Sequence, residues 1–149
     1  MDAAPLTWFV YDYCRDPAAM RHFYGELLGL EVVWDEPDDV AFVHGDLQLS
    51  FNRSADVPVQ DAWAFQPGWG HGQLSDAPEG ARARSCSIAL SPERFREAVA
   101  RLIDDGVPTL RPEPFWVGYW SFVVRDPDGT TIELSDPVTP GPQDGVPDA

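Results

Sequence analysis

Glu133 is the residue of this sequence with the clearest capacity for chemistry, because it is an acid within the apolar, strand-like run Ile132-Glu133-Leu134. A carboxylate in such a place can accept hydrogen bonds as part of the scaffold, anchor a cationic ligand, or act as a general acid or base. We expect these roles in that order, with Gln48, Ser87 and Ser121 as hydrogen-bonding neighbours in the first case. If aromatic side chains close the site, burial would raise the pKa of Glu133.

His71 is the histidine that could join Glu133 in a metal site, since it lies in a long segment rich in Gly and Pro. Imidazole nitrogen and carboxylate oxygen are both ligands of transition metals. A divalent metal held by His71 and Glu133 is therefore the alternative to a site without metal. We expect no metal and no other cofactor.

Two segments place further candidate side chains on one face of a strand. Residues 47–52 alternate strictly between apolar and polar types, so their polar members face away from the core. Residues 7–14 are rich in aromatic and β-favouring types and form a strand in the same way. The side chains that these two patterns bring to one face are Gln48, Ser50 and Asn52 in the first segment and Phe9, Tyr11 and Tyr13 in the second.

The elements that would position these residues follow a β-α-β-β-β order in the first part of the chain. After strand 7–14, Asp16-Pro17 provides an N-cap and a proline at the first helical position, and Gly29 ends the helix. Three short strands are predicted next, separated by turn signals. They cover residues 31–34, 40–44 and 47–51.

The same order recurs in the second part of the chain. A strand at 85–90 precedes Ser91-Pro92, which repeats the cap and proline, and a helical stripe ends at Gly106. That stripe consists of Phe95, Ala98, Val99, Leu102 and Ile103. Further strands are predicted at Thr109–Arg111, Trp116–Val124 and Thr130–Leu134, with a turn at Asp126-Pro127-Asp128-Gly129.

The two helix ends, Gly29 and Gly106, are about 77 residues apart, which indicates a repeated module. The predicted fold is therefore α+β, with two βαβββ modules. Side by side, the modules would form a curved mixed eight-stranded sheet with the helices on its outer face and an open trough on the inner face.

We predict one domain over residues 1–136, followed by a flexible tail at 137–149 whose composition offers little to pack. Module one covers about residues 6–53 and module two about 84–136. The connecting loop, 54–83, carries Trp63, Phe65, Trp69 and His71, and a loop of this length is uncommon unless it is functional or disordered. We expect it to fold over the trough.

The net charge of −15, from 25 acidic and 10 basic residues, would repel a phosphate backbone, so nucleic acid and anionic membrane are excluded as expected partners. The start of the chain lacks the features of a signal peptide, and no stretch approaches the length of a membrane span. A cytoplasmic location is expected. Cys14 and Cys86 fit no disulfide framework or zinc motif and are predicted to be buried thiols.

Several short motifs together resemble the vicinal-oxygen-chelate superfamily, which includes glyoxalases, bleomycin-resistance proteins and extradiol dioxygenases. The motifs are Arg15-Asp16-Pro17, Phe23-Tyr24, Leu27-Leu28-Gly29-Leu30, Arg125-Asp126-Pro127-Asp128-Gly129 and Ile132-Glu133-Leu134. In metal-dependent members, the resemblance implies a divalent ion held by residues of the first strand, the strand that opens module two and the last strand. It places Phe9, Ser87 and Glu133 at these positions, and only Glu133 is a plausible ligand.

The residues expected around the trough are aromatic and polar, with one acid. They suit a planar, possibly cationic ligand through ring stacking and cation–π attraction. The candidate ligand-binding residues are Phe9, Tyr11, Tyr13, Gln48, Ser50, Asn52, Trp63, Trp69, Ser87, Tyr119, Trp120 and Glu133, and Glu133 is also the candidate catalytic residue.

The sequence thus predicts metal-independent binding of a small aromatic or cationic compound, as in drug-sequestering members of the superfamily. The alternative is a metal- or Glu133-dependent lyase, isomerase or dioxygenase acting on a small metabolite. The resemblance also implies a homodimer, with or without exchange of modules.

Overall fold

The computed structural model describes residues 5–61, 63 and 85–142, which belong to two compact units, Met1–Pro58 and Val59–Ala149. Each unit contains one four-stranded mixed sheet and one helical segment, in the order β-α-β-β-β. The predicted α+β fold of two βαβββ modules with eight strands is confirmed. No described helix has the length and apolar character that crossing a bilayer requires.

In the first unit, the strand order across the sheet is β1-β4-β3-β2, with β1 parallel to β4 and the other pairs antiparallel. Strand β1 therefore lies at an edge. The strands are β1 (Trp8–Cys14), β2 (Glu31–Glu36), β3 (Asp39–His44) and β4 (Leu47–Arg53).

The helix of this unit, α1, is α-helical over Pro17–Met20 and becomes a π-helix over Arg21–Leu27. The Asp16 side chain caps it by accepting a hydrogen bond from the Ala18 N–H at 3.0 Å, as the Asp-Pro pattern predicts. Gly29 follows the helix with a φ of 78°, which favours glycine. The sequence did not predict the π-helical turns.

The wider π-helical turns allow the adjacent residues Phe23 and Tyr24 both to be buried. Tyr24 stacks on Phe51 of β4 with ring centroids 5.2 Å apart and lies 5.5 Å from the ring of Phe42. These rings form the centre of the first unit's core.

Strand β2 contains a β-bulge, since its register with β3 shifts between Val32 and Trp34. An extra residue in one strand of an antiparallel pair bends that strand and redirects its side chains. Val32 pairs with Phe42 and Trp34 with Ala41, so Val33 is the inserted residue.

In the second unit, the strand order is β5-β8-β7-β6, which repeats the topology of the first unit. The Ser91 side chain caps helix α2 by accepting a hydrogen bond from the Arg94 N–H, as predicted. The elements are β5 (Ser85–Ala89), α2 (Pro92–Asp104), β6 (Phe115–Trp116), β7 (Trp120–Arg125) and β8 (Thr131–Asp136).

Three predictions for this unit are corrected. Thr109–Arg111 is not a strand, because only Thr109 forms an isolated bridge, to Val124. Trp116–Val124 is not one strand either, because a turn with Gly118 at a φ of 98° separates β6 from β7. Ile103 lies at the solvent-facing margin of the helical stripe and is 50% exposed.

The prediction of two buried cysteines is half correct. Cys14 is fully buried, whereas Cys86 is exposed on the edge strand β5, and both are free thiols.

Both faces of the second sheet are covered. On one face α2 contacts β8, and buried apolar residues of the sheet and helix form the main core. On the other face Phe115 and Val123 form a smaller cluster, against which Trp63, Leu110 and Val117 pack. Val123 is paired with Glu133 across β7 and β8, so this smaller cluster shares its face with Glu133.

The turn between β7 and β8 contacts the start of the connecting loop within the second unit. Asp126 organises the predicted turn, since its carboxylate accepts hydrogen bonds from the N–H groups of Asp128 and Thr130. The Gln60 N–H donates to the Asp128 carbonyl at 3.0 Å. Gly129, at a φ of 83°, lies so close that an added Cβ would be 2.1 Å from the Gln60 carbonyl oxygen.

The segment predicted as a flexible tail begins with residues that have defined contacts, because the Trp120 indole N–H donates to the Pro140 carbonyl at 3.1 Å. Flexibility of residues 143–149 stays a prediction, since they lie outside the described residues. Phe65, Trp69 and His71 also lie outside them, as does most of the loop expected to fold over the trough.

We predict that Gly129→Ala destabilises the protein more than Gly45→Ala does. Both glycines have a positive φ, which strains any other residue, but the space around Gly45 is open whereas a side chain at Gly129 meets the Gln60 backbone. Gly45→Ala should cost about 1 kcal/mol of unfolding free energy, and Gly129→Ala clearly more. Urea denaturation of both variants measures the difference, and equal losses would contradict the proposed close contact.

Candidate functional site

Glu133 lies in the middle of β8 with no exposed surface, and three hydroxyl groups surround its carboxyl group. The Ser87 hydroxyl donates to Oε1 at 2.6 Å and the Ser121 hydroxyl to Oε2 at 2.7 Å. The Tyr119 hydroxyl lies 3.1 Å from Oε1 and 3.2 Å from Oε2. We call these four residues the hydroxyl-bound carboxyl group.

The sheet register explains why these side chains meet. Ser87 of β5 is paired directly with Glu133 of β8, so their side chains point to the same face. Ser121 of β7 is two residues from Val123, the other direct neighbour of Glu133, and therefore reaches it diagonally on that face. Tyr119 enters from the turn before β7. All four residues belong to the second unit.

Burial raises the pKa of Glu133 above its ordinary value, because the charged form loses its hydration. Hydrogen bonds from Ser87, Ser121 and Tyr119 oppose this shift, since they stabilise the carboxylate, but they do not cancel it. Ser87 is exposed while Glu133 is buried, so the Ser87 hydroxyl connects the acid to the surface of the unit. The group could therefore exchange a proton through a hydroxyl neighbour.

The donor set around Glu133 does not fit a divalent metal ion. Its described neighbours are three hydroxyl groups, and neutral hydroxyls are weak ligands compared with imidazole, thiolate or carboxylate. Among residues 5–61, 63 and 85–142, no three His, Cys, Asp or Glu side chains are grouped so that they could hold a metal. The alternative pair of His71 and Glu133 lies partly outside the described residues.

The first unit has a pocket of about 390 Å³, within the range typical of small-molecule sites. Its walls combine two aromatic rings, three apolar side chains, one carboxylate and three uncharged polar groups. The lining residues are Tyr11, Val33, Trp34, Asp39, Val40, Ala41, Gln48, Ser50 and Asn52. We call it the first-unit pocket.

Strands β1 and β4 supply the predicted part of this pocket. Tyr11 pairs with Ser50 in the parallel ladder, and Gln48, Ser50 and Asn52 follow one another on the same face of β4. The Gln48 amide donates to the Ser50 hydroxyl at 3.2 Å. The strict alternation of β4 predicted that these three polar side chains share a face, and all three line the pocket.

The β-bulge of β2 supplies a part that the sequence did not predict. Val33, the inserted residue of the bulge, and Trp34 beside it both line the pocket. The Trp34 side chain is 53% exposed, so the ring is available to a ligand. Asp39, at the start of β3, adds a half-buried carboxylate to the wall.

Other predicted ligand-binding residues lie elsewhere. Phe9 and Tyr13 are exposed on β1 but do not line the first-unit pocket. Trp63 packs against the Phe115 cluster, with the Arg125 guanidinium 4.2 Å from the centre of its ring. The Trp120 indole binds the Pro140 carbonyl. Trp69 lies outside the described residues.

Asp12, an acid in an otherwise apolar strand, is half-buried, and its carboxylate accepts a hydrogen bond from the Tyr13 N–H at 2.8 Å. Arg21 of α1 forms its ion pair with Asp35 of β2.

A family profile described as a glyoxalase-like domain matches residues 8–135. The chain therefore belongs to the glyoxalase-like domain family, which confirms the resemblance to the vicinal-oxygen-chelate superfamily. No curated protein matches the sequence.

Solved structures of low sequence identity share the fold. A glyoxalase/dioxygenase from Nostoc punctiforme is 19% identical with a TM-score of 0.64, over 86% of this chain and 88% of that one. A lactoylglutathione lyase from Agrobacterium tumefaciens is 20% identical with a TM-score of 0.56, over 91% and 96%. Fosfomycin resistance protein FosX from Mesorhizobium loti is 13% identical with a TM-score of 0.58, over 96% and 97%.

Replacing Glu133 by Gln tests the state of the buried acid, because Gln keeps the shape but cannot ionise. Since the pKa of Glu133 is raised in the folded protein, its contribution to stability is present at low pH and is lost as the pH rises through the raised pKa. We therefore expect the unfolding free energy of the wild type to fall relative to Glu133→Gln as the pH rises above about 4, the ordinary value for Glu. Urea denaturation of both proteins across this range measures the difference.

The difference in unfolding free energy between the two proteins reports on Glu133 alone, because every other titrating group is present in both. A difference that is constant with pH, or that grows in favour of the wild type, would show that the pKa of Glu133 is not raised.

Proposed function

We propose that the protein binds a small aromatic or cationic compound without a metal ion and sequesters it. The observation that carries this proposal is the first-unit pocket, in which exposed rings and an acid surround a space of small-molecule size. The cytoplasmic location expected from the sequence is part of the proposal.

Trp34 and Tyr11 support an aromatic ligand. Both rings line the pocket, and they are 53% and 73% exposed in the chain. A planar ligand stacked against them would remove apolar surface from water and gain favourable ring–ring contacts. The polar groups of Gln48, Ser50 and Asn52 would fix its orientation, since their spacing along β4 offers hydrogen bonds at intervals of about 7 Å.

Asp39 and the charge of the protein support a cationic ligand. Asp39 is the charged group of the pocket lining, which contains no Lys or Arg among the described residues. The net charge of −15 raises the local concentration of cations around the protein. A cation over the Trp34 ring would also be attracted to its π-face.

The metal-independent part of the proposal rests on the hydroxyl-bound carboxyl group. Glu133 is the acid that the superfamily resemblance places at a metal-ligand position, but here its oxygens accept hydrogen bonds from Ser87, Ser121 and Tyr119. Two proteins with the same fold are described as a fosfomycin resistance protein and a lactoylglutathione lyase, so the fold is compatible with both resistance and catalysis.

An enzyme is the second candidate, and the raised pKa of Glu133 favours it. A carboxyl group whose pKa is raised keeps its proton at a higher pH than an ordinary glutamate does, and can therefore serve as a general acid or base. Ser87 and Tyr119 would carry the proton between Glu133 and a substrate. The reaction classes are those of a lyase or isomerase that uses Glu133, while a dioxygenase would need a metal that the described residues do not fit.

We also propose that the protein is a homodimer. Trp8, Phe9 and Tyr13 of the edge strand β1 are 66%, 50% and 60% exposed in the chain, and exposed aromatic clusters of this kind mark interaction surfaces. Sedimentation velocity should give the mass of two chains for the wild type and of one chain for the double variant Trp8→Ser, Tyr13→Ser. A monomeric wild type would contradict the proposal.

For the ligand, we predict that proflavine, a planar cation, binds and that a naphthalene sulfonate, a planar anion, does not. Trp34→Ala and Asp39→Asn should each weaken proflavine binding by about tenfold, which corresponds to about 1.4 kcal/mol. Isothermal titration calorimetry at low ionic strength measures both compounds.

Val32→Ala is the matched control, because Val32 lies on the same strand as Trp34 and does not line the pocket. It should bind proflavine as the wild type does. Failure of a broad panel of planar cations to bind, or binding that Trp34→Ala leaves unchanged, would contradict the proposed pocket.

A further inference from the structure

Two tryptophans of the second unit lie under the last described residues of the chain. Trp116 of β6 and Trp120 of β7 are paired across the hairpin, with ring centroids 5.5 Å apart and an angle of 68° between the rings. Both are half-buried. Together they form an aromatic surface, which we call the tryptophan groove.

Residues 137–142, with the sequence Pro-Val-Thr-Pro-Gly-Pro, run over this groove, and we call them the strap. The Trp120 indole N–H donates a hydrogen bond to the Pro140 carbonyl at 3.1 Å. Gly141 lies so close to Trp116 that an added Cβ would be 2.0 Å from Cε3 of the ring. Only a residue without a side chain can be placed there, so the fit between strap and ring is specific.

Hydrogen bonds to Asp136 turn the strap toward the groove. This residue ends β8 and is buried, and its carboxylate accepts hydrogen bonds from the N–H groups of Val138 and Thr139 at 2.9 and 3.0 Å. These bonds form a tight turn directly after the strand. The chain thus leaves the sheet next to β7 and crosses the two indole rings.

Grooves that bind proline-rich peptides use contacts of these kinds. Proline favours an extended conformation without internal hydrogen bonds, so its carbonyl groups are free to accept them. Proline-rich peptides are bound in grooves lined by aromatic rings, where the prolines lie on the rings and ring N–H groups contact peptide carbonyls. Pro140 and Pro142 flank Gly141 in the part of the strap that contacts the two rings, so that part is proline-rich.

We propose that Trp116 and Trp120 form a binding site for a proline-rich peptide segment, and that residues 137–142 occupy this site in cis. A partner carrying a proline-rich segment would compete with the strap for the same rings. Because a tethered segment has a high effective concentration, the strap would hold the groove closed to weak or dilute partners.

The groove retains a binding group that the strap does not use. Within the described residues, the Trp116 indole N–H is buried without a hydrogen-bond acceptor. A buried donor of this kind costs stability until it is paired. A peptide that places a second carbonyl at Trp116 would therefore bind the groove better than the chain's own strap does.

This site is separate in its residues from the first-unit pocket and from the hydroxyl-bound carboxyl group. It involves neither Glu133 nor Trp34, so its test does not depend on the proposed small-molecule function.

The experiment uses the full chain labelled with ¹⁵N at tryptophan, and the probe is the peptide acetyl-Pro-Val-Thr-Pro-Gly-Pro-amide. The variant is Gly141→Ala, in which the new methyl group cannot fit against Trp116 and displaces the strap while leaving both rings intact. NMR spectra follow the indole N–H signals, with Trp120 assigned from the Trp120→Phe variant. Val138→Ala, a change at a 68% exposed position of the strap, is the matched control.

In Gly141→Ala, the Trp120 indole signal should move upfield as it loses the Pro140 carbonyl, and the peptide should shift it back in a saturable way. The apparent Kd should be lower than in the wild type and in Val138→Ala by about tenfold or more, because the strap no longer competes. An unchanged Trp120 signal in Gly141→Ala would overturn the cis contact. No shift with the peptide, or an equal shift with acetyl-Ala-Val-Thr-Ala-Gly-Ala-amide, would overturn proline recognition.

Discussion

The carboxyl group of Glu133 is buried completely and must find all its hydrogen bonds inside the second unit. Burial without partners would cost several kcal/mol, so the sheet register that places Ser87 and Ser121 within 2.7 Å is a condition for the fold as well as for the site. Since β5 and β7 lie on either side of β8, a shift of either strand by one residue would turn its hydroxyl to the opposite face. Among the residues that the structure describes, the hydrogen-bonding neighbours of Glu133 are hydroxyl groups, which are weak ligands for a metal ion.

The two units offer two candidate sites that differ in their chemistry. The second unit contains an acid whose charge is disfavoured by burial and whose contact with the surface runs through Ser87. The first unit contains open aromatic rings, three polar groups and Asp39, which suit recognition of a ligand rather than transformation. The fold is shared with proteins described as lyases, dioxygenases and resistance proteins, so fold alone does not choose between binding and catalysis.

Features governed by short-range signals were predictable from the sequence. The caps at Asp16 and Ser91 depend on residues adjacent in the chain, as do the glycines that end both helices. The strand pattern of residues 47–52 likewise identified three pocket residues, and the link from Glu133 to Ser87 and Ser121 was anticipated. The predicted third neighbour, Gln48, has its observed side-chain bond with Ser50, and Tyr119 contacts the acid as well.

Features set by pairing between distant segments were not predictable. The bulge at Val33, next to the pocket residue Trp34, depends on the register of β2 with β3, which the composition of β2 does not reveal. The split of Trp116–Val124 into two strands is local by contrast, since it lies at the turn with Gly118. The contact of Pro140 with Trp120 was missed because the composition of the tail, taken alone, indicates no packing partner.

Metal binding by the wild type and by Glu133→Gln tests most directly whether the hydroxyl-bound carboxyl group holds a metal ion. Full-length protein should be dialysed against Zn²⁺, Ni²⁺ and Mn²⁺, passed through a desalting column and measured by elemental analysis beside Glu133→Gln. We expect both proteins to retain the same trace amount of each metal, because three hydroxyl groups bind the carboxyl group. One metal ion per chain in the wild type, absent from Glu133→Gln, would contradict this expectation.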